Sequence, residues 1–402
     1  MHTRISAFSF IFSICLAAAA VQAGPVIQHW QTAKGTEVYF VETRGLPLVD
    51  IQLVFDAGSA RDGKRFGMAA LTSGMLDKGA GVWDANQLAQ RLEGVGAKLG
   101  LGISRDTAAV TLRSLTEARN LDIALETTAK ILGNPKFGAP DFSREQKRIL
   151  ATLQHNTELP DEVSEKAFFE QIYQKHPYAH PILGETHTVK ALTTQDIREF
   201  YKQYYVASNA IAVVVGDVSR ERASSIIEQL TAELAQGTRA EAIAAVDYSA
   251  EGHTESIAFP SEQTHIYAGM PALKKSDPDY FALYVGNHVL GGGGLVSRIS
   301  QEIRENRGLA YSSSSSFAPM GQKGPFIMGL QTRNEQAGEA LRVLNQTVDD
   351  FIAKGPSEEE LAKAKKNLTG GFVLRIDSNS KVSDYVAMIG FYHLPLDYLD
   401  AF

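Results

Sequence analysis

Residues 47–60, PLVDIQLVFDAGSA, read as a strand that runs into a loop, and a helix-like stretch containing Met68, Ala69, Ala70 and Leu71 follows. The same plan recurs in the second half. Residues 262–270, EQTHIYAGM, carry a strand pattern, and residues 280–290, YFALYVGNHVL, a helix pattern. A third element matches as well. Residues 120–132, NLDIALETTAKIL, and residues 340–352, ALRVLNQTVDDFI, both place apolar residues at helical spacing. Each is followed by a second helix start, at Pro140–Asp141 in one half and Pro356–Ser357 in the other. Proline suits a first helical turn, where its missing N–H has no partner to lose.

The chain is therefore expected to hold two halves of similar plan. Residues 108–112, 211–215 and 326–331 form hairpin-like apolar runs, and helices come in pairs rather than after every strand. That order predicts an α+β fold of two homologous domains, each a mainly antiparallel sheet with helices packed on one face. The predicted boundaries are 24–240 and 250–402, with the small, polar stretch 236–249 (QGTRAEAIAAVDYS) as linker. The first half closes with a helix pattern at 194–205 and a strand at 210–215, followed by Gly216 and Asp217. The second half reaches FYHLPLDYLDAF (391–402) without such a pair. A further C-terminal helix and strand are thus expected beyond the sequence given.

Of the 402 residues, 44% are hydrophobic and 21% charged, an ordinary globular composition with enough apolar material for more than one core. The net charge of -7 argues against a nucleic-acid partner, which needs a basic face. At the N-terminus, residues 1–4 are basic and residues 5–21 apolar, and Val21-Gln22-Ala23 supplies a small-x-small cleavage site. This predicts a signal peptide over 1–23 and a periplasmic or secreted protein. An uncleaved anchor is the weaker reading, because the apolar run is short and rich in alanine. Cys15, the single cysteine, lies inside that segment. The mature chain then has no disulfide, thiol nucleophile or cysteine zinc ligand.

An ordered set of motifs carries a family resemblance. It comprises residues 67–79 (GMAALTSGMLDKG), 176–184 (HPYAHPILG), 192–196 (LTTQD), 213–217 (VVVGD), 290–293 (LGGG) and 298–311 (RISQEIRENRGLAY). In this order the chain resembles the pitrilysin or insulinase type of zinc metallopeptidase, and more narrowly the short bacterial subunits related to the mitochondrial processing peptidase. Active members place His-x-x-Glu-His on one helical face, so that both histidines reach zinc and the glutamate activates water. The resemblance puts Ala70, Ser73 and Gly74 at those three positions, and the third ligand near Ala151 or Thr152. These residues cannot form a zinc ligand set. It follows that this chain carries no cofactor of its own and that zinc is expected in a partner subunit.

Could other histidines replace the lost ligands? His155 follows the expected third-ligand helix, and His176, His180 and His187 cluster in a loop. No acidic residue accompanies them at ligand spacing, so HPYAHP reads as a packing turn. The second half differs. Arg304 and Tyr311 have the R-x6-Y spacing with which, the resemblance implies, the family binds the substrate backbone and steadies the oxyanion. Taken alone, they would read as a solvated helix residue and a packing aromatic. Gly308 is expected to end the helix and set Tyr311 at the start of a strand.

The run Gly291, Gly292, Gly293, Gly294 lacks the Lys-Ser/Thr of a phosphate loop. It reads as a flexible turn and a candidate substrate-binding segment. Residues 312–316 are five serines, best read as a strand edge able to pair with an extended peptide.

The resulting expectation is a non-metal subunit of a heterodimeric periplasmic zinc peptidase, with a zinc-bearing homologous partner, a peptide substrate and no nucleic acid. The alternative is a non-proteolytic structural or peptide-binding member of the same family. A self-sufficient peptidase is disfavoured, since no nucleophile and base stand together in the sequence.

Overall fold

The computed structural model describes residues 24–248 and 251–400. The signal peptide expected over 1–23 and residue 249 of the expected linker lie outside them. In the first half, β1 (Gln28–Gln31), β2 (Glu37–Glu42) and β3 (Leu48–Phe55) lead to α1 (Met68–Met75). A short hairpin of β4 (Gly79–Ala80) and β5 (Trp83–Asp84), then α2 (Ala85–Glu93), β6 (Lys98–Ile103) and β7 (Ala108–Leu115) follow. Next come α3 (Ala118–Gly133), α4 (Ala139–Asn156), α5 (Pro160–Tyr173), α6 (Thr186–Ala191), α7 (Thr194–Tyr204), β8 (Ala210–Gly216) and α8 (Arg220–Thr231). The second half contains β9 (Gln263–Leu273), α9 (Tyr280–Asn287), α10 (Arg298–Ser300), β10 (Ala310–Phe317), β11 (Gly324–Arg333), α11 (Ala337–Lys354), α12 (Glu358–Phe372) and α13 (Asn379–Phe391). Residues 235–248, between the halves, form neither helix nor strand.

The α+β architecture is as expected. The first sheet has the order β1-β2-β8-β3-β7-β6, antiparallel throughout except for the parallel pair β2 and β8. The second has the order β10-β11-β9, all antiparallel. Strand β3 shows why the first sheet has a distinct face toward the helices. Val49, Ile51, Leu53 and Phe55 point into a core built with Leu71 of α1, Leu125 of α3 and Ile226 of α8. The period of two places Asp50, Gln52 and Val54 on the opposite face.

That opposite face is covered by a helix from the other half, which the sequence did not reveal. Val382, Val386 and Ile389 of α13 pack against Tyr39, Val54, Val213 and Val215. Gln52 Nε2 donates to Asp384 Oδ1 at 2.7 Å, and Thr43 Oγ1 to Asn379 Oδ1 at 3.0 Å. Gly390 permits the approach, because a Cβ there would lie 2.6 Å from the Tyr39 ring. The exchange is reciprocal. From the first half, α5 packs against β9, where Phe168 sits 6.0 Å from the Tyr267 ring and shares a cluster with Ile327.

A polar hub lies where the halves meet. Asp106, in the turn between β6 and β7, is buried. It accepts from the Tyr178 hydroxyl, from the Tyr392 hydroxyl at 2.9 Å and from the Gly321 N–H at 2.8 Å. Burial and the neighbouring carboxylate push both tyrosine hydroxyls well above their ordinary value, so they remain donors. Asp106→Ala would orphan three donors at once. A loss of about 2–4 kcal/mol is expected, seen as a lower urea midpoint, with Asp106→Asn losing less. An unchanged midpoint for the alanine variant would remove this hub from the account of how the halves are joined.

Candidate functional site

Helix α1 keeps the packing of a metal-motif helix without its ligands. Gly67 opens it with a φ of 96°, and the Gly67 and Ala69 N–H groups both donate to the Asp62 carboxyl at 2.7 Å. Ala70 and Ser73 are buried, and α1 packs against α4, α7 and β6 within its own half. Gly74 faces α4. A Cβ at that position would lie 2.5 Å from Glu145 Oε1, so the space a larger side chain needs is already filled. Glu145 is buried and held by Arg148, whose Nε donates to both carboxylate oxygens at 3.0 Å. On the same helix, the Thr152 hydroxyl is turned back to the Arg148 carbonyl at 3.1 Å, and Ala151 is exposed.

These residues do not fit a zinc ion, which takes imidazole, thiolate or carboxylate donors in a closed set. Of the three expected ligand positions, two hold Ala70 and Gly74 and the third offers at most the Thr152 hydroxyl. The histidines do not converge either. His155 is exposed at the end of α4. His176 Nε2 contacts the Ala244 carbonyl at 3.0 Å, and His180 stacks on Phe66 with ring centroids 4.1 Å apart. His187 is exposed beside Glu185, at 3.1 Å. Burial pulls His176 and His180 below the usual imidazole range, as packing residues of the turn.

Arg304 and Tyr311 do come together. A wide helical turn, Gln301–Glu305, carries Arg304. Gly308 then takes a φ of 60° and stops the helix, with Gly308 N–H donating to the Arg304 carbonyl at 3.0 Å and Leu309 N–H to the Ile303 carbonyl at 2.9 Å. The chain enters β10 at Ala310, and the Arg304 guanidinium lies 4.6 Å from the centre of the Tyr311 ring. Tyr311 is 83% exposed, and the Arg304 side chain is a third exposed beside Glu305 at 3.3 Å. Both polar ends are open to solvent and to a bound chain.

The glycine run adjoins the same strand. Gly291 and Gly292 end a second wide turn, His288–Gly292. A Cβ on Gly291 would meet Ser315 Oγ at 2.3 Å. The contact lets Asn287 and Ser315 exchange hydrogen bonds, Nδ2 to the Ser315 carbonyl at 3.0 Å and Ser315 Oγ to Oδ1 at 2.6 Å. Gly293 ends the turn, Gly294 has a φ of 66°, and Gly292 and Gly294 face solvent. Gly291 is thus a packing residue, and the exposed part of the run is what a ligand meets. The serine run is β10, an edge strand of the second sheet.

Comparison with known proteins assigns the family. Residues 38–186 match the model described as Insulinase (Peptidase family M16), and residues 191–368 the one described as Peptidase M16 inactive domain. The crystal structure of a peptidase M16 inactive domain from Pseudomonas fluorescens is 36% identical, with a TM-score of 0.90 over 93% of this chain and 90% of that one. A non-peptidase homolog, YmxG, of Helicobacter pylori is 26% identical over 90% of this chain and 83% of its own length. An uncharacterized zinc protease of Rickettsia felis is 26% identical over 83% of this chain and 81% of its own. The chain belongs to the M16 peptidase family. The inactive-domain description and the name of the Helicobacter pylori relative support a non-catalytic member of that family.

Sequence reasoning missed Glu145 and Asp62. Glu145 carried no signal, since its role depends on a glycine 71 positions earlier. Asp62 had one: a carboxylate five residues ahead of a helix-opening glycine is placed to cap. Burial pushes the Asp62 carboxyl from 3.8 up to about 7, against the opposing pull of the Ala69, Gly67 and Met68 N–H groups. The folded protein then binds this proton more tightly than the unfolded chain does. Its contribution to stability is full below about pH 4 and is lost as pH rises through 7. Urea unfolding of wild type and Asp62→Asn from pH 4 to pH 8 should show the wild type losing stability relative to the variant over that window. Parallel pH profiles would contradict the assignment.

Proposed function

We propose that this chain is the non-metal subunit of a heterodimeric, exported zinc peptidase, and that it supplies Arg304 and Tyr311 to an active site whose metal lies on a homologous partner. The observation that carries this reading is an asymmetry. The positions for a metal on α1 and α4 are filled by Gly74 packed on the Glu145–Arg148 pair, while Arg304 and Tyr311 stand 4.6 Å apart at an open strand start. A purely structural protein has no need for that second arrangement. The matched inactive-domain description and the non-peptidase name of the Helicobacter pylori relative support a member that does not cut peptides alone.

The chemistry of the pair is that of an oxyanion clamp. The guanidinium of Arg304 donates a planar fork of N–H groups, and the Tyr311 hydroxyl adds one more donor. Stacked on the ring of Tyr311, the guanidinium is oriented before substrate arrives, so little rotamer freedom is lost on binding. An extended peptide would pair along the free edge of β10 from Tyr311 onward, next to the exposed glycines 292 and 294. When bound in the partner, zinc supplies Lewis-acid polarisation and an activated water. The N-terminal segment, with its basic start and small-residue cleavage site, supports export to the periplasm.

The test is hydrolysis by the purified chain alone, by a zinc-motif homologue alone and by the two mixed. Activity is expected only, or far more strongly, in the mixture. Arg304→Ala or Tyr311→Phe should lower its turnover by about ten- to a thousandfold, the range for removing one oxyanion donor. Zinc-dependent cleavage by this chain alone would overturn the proposal. An unchanged rate in both variants would assign the chain a scaffolding role instead.

A further inference from the structure

A cavity of about 480 Å³ opens on the first half, between the end of α4, the start of α5 and the loop 179–187. Its walls are largely apolar, with Leu153, Val163, Phe169, Ile182 and Leu183 among them. Two cations line it: Lys166, paired with Glu170, and Arg105. The guanidinium of Arg105 lies over the Phe169 ring, 3.7 Å from its centre, and its Nε donates to the Tyr178 carbonyl at 2.9 Å. Ring stacking and that hydrogen bond fix the plane of the group. Among the described residues, Arg105 forms no ion pair, and its two terminal nitrogens have no hydrogen-bond acceptor. The adjacent Asp106 is committed to Tyr178, Tyr392 and Gly321 in the hub.

The other charges of the cavity narrow the ligand. Glu162 accepts from Asn156 at 2.9 Å, Lys166 pairs with Glu170 at 2.5 Å, and Glu185 pairs with His187 at 3.1 Å. Glu165, at the rim, has no hydrogen bond or ion pair among the described residues, and burial pushes its carboxyl up against the opposing field of Arg105. The cavity thus offers a fixed fork of donors, one free acceptor near it, and apolar walls. A multiply charged anion would be repelled by the glutamates. A monoanionic carboxylate with a neighbouring N–H and an apolar side chain matches each group.

We propose that this cavity captures the C-terminal residue of a peptide, with its carboxylate on the Nη1 and Nη2 edge of Arg105, its amide N–H on Glu165 and its side chain against Leu153, Val163 and Leu183. The inference rests on the peptide-holding reading above and extends it by naming the end of the peptide that is held. The cavity adjoins α4 just beyond Thr152. A held C-terminus would therefore sit beside the helix whose ligand chemistry is lost, where no metal competes for its carboxylate.

Binding of three fluorescein-labelled pentapeptides to the full chain, measured by fluorescence anisotropy, tests the proposal. They are Gly-Ser-Gly-Ala-Leu as the free acid, the same peptide as its C-terminal amide, and the amide ending in Glu. The free acid should bind about ten- to a hundredfold more tightly than either amide, the range for losing hydrogen bonds to a charged group. Arg105→Met and Arg105→Lys should both erase that ratio, the second because an ammonium keeps the charge without the fork. The comparison of acid with amide in wild type needs no variant, so a folding defect in Arg105→Met does not decide the matter.

Equal binding of acid and leucine amide would overturn the proposal while leaving the peptide-holding reading in place. Tight binding of the Glu amide would move the recognised carboxylate to a side chain and overturn the C-terminal assignment. Loss of all binding together with an inactive mixture of subunits would overturn both.

Discussion

The central strands of the first sheet, β2, β8 and β3, are buried on both faces, and the second face is closed by a helix that arrives more than a hundred residues later in the chain. Along β8 the alternation is visible residue by residue. Ala212 and Val214 point into the core with α1, α3 and α8, and Val213 and Val215 point at α13. Burying a valine fully is worth about 1.5–3 kcal/mol, so the few apolar residues under α13 account for a large share of what joins the halves. Everything at the domain interface follows from this seating. It brings Tyr392, just past α13, to Asp106, and it fixes the second half, with β9 under α5, against the first.

Against that rigid frame, the two half-sites have different histories of constraint. A zinc motif needs a helix, three donor side chains and a second helix at the right distance. Here the two helices remain in contact, and the donor positions have become a close-packed seam in which Gly74 admits the Glu145 carboxylate. A histidine at 74 would have to displace the buried Glu145 carboxylate, which lies 2.5 Å from where its Cβ would stand and which the exposed Arg148 holds from outside. The seam packs α1 on α4 with no room at Gly74 for a larger side chain.

Much of this was legible in the sequence, and the limits are physical. The period-two run of β3 and the helical spacing of α3 and α11 are local signals, so the α+β plan and the internal duplication could be read directly. The pair Arg304 and Tyr311 was singled out by the resemblance, since taken alone the two read as a solvated helix residue and a packing aromatic; Gly308 and the strand start at Ala310 bring them together. What escaped depends on distant partners. Nothing around residue 384 announces a hydrogen bond to Gln52, and nothing around Glu145 announces Gly74. Arg105 and Asp106 are adjacent in sequence and carried no signal there, yet one lines a cavity and the other joins the two halves.

That adjacency has a consequence for how the chain could respond to a ligand. Tyr178 gives its carbonyl to Arg105 and its hydroxyl to Asp106, so one side chain and one peptide unit link the cavity to the hub between the halves. The hub in turn contacts Gly321 and Tyr392 of the second half, and Tyr178 also accepts from the Gln322 N–H at 3.1 Å. A carboxylate settling on Arg105 would pull on a guanidinium that is already fixed by Phe169 and Tyr178, and close-packed interiors transmit such displacements rather than absorb them. Tyr178 therefore belongs both to the wall that holds Arg105 and to the hub that holds Gly321, Gln322 and Tyr392 of the second half.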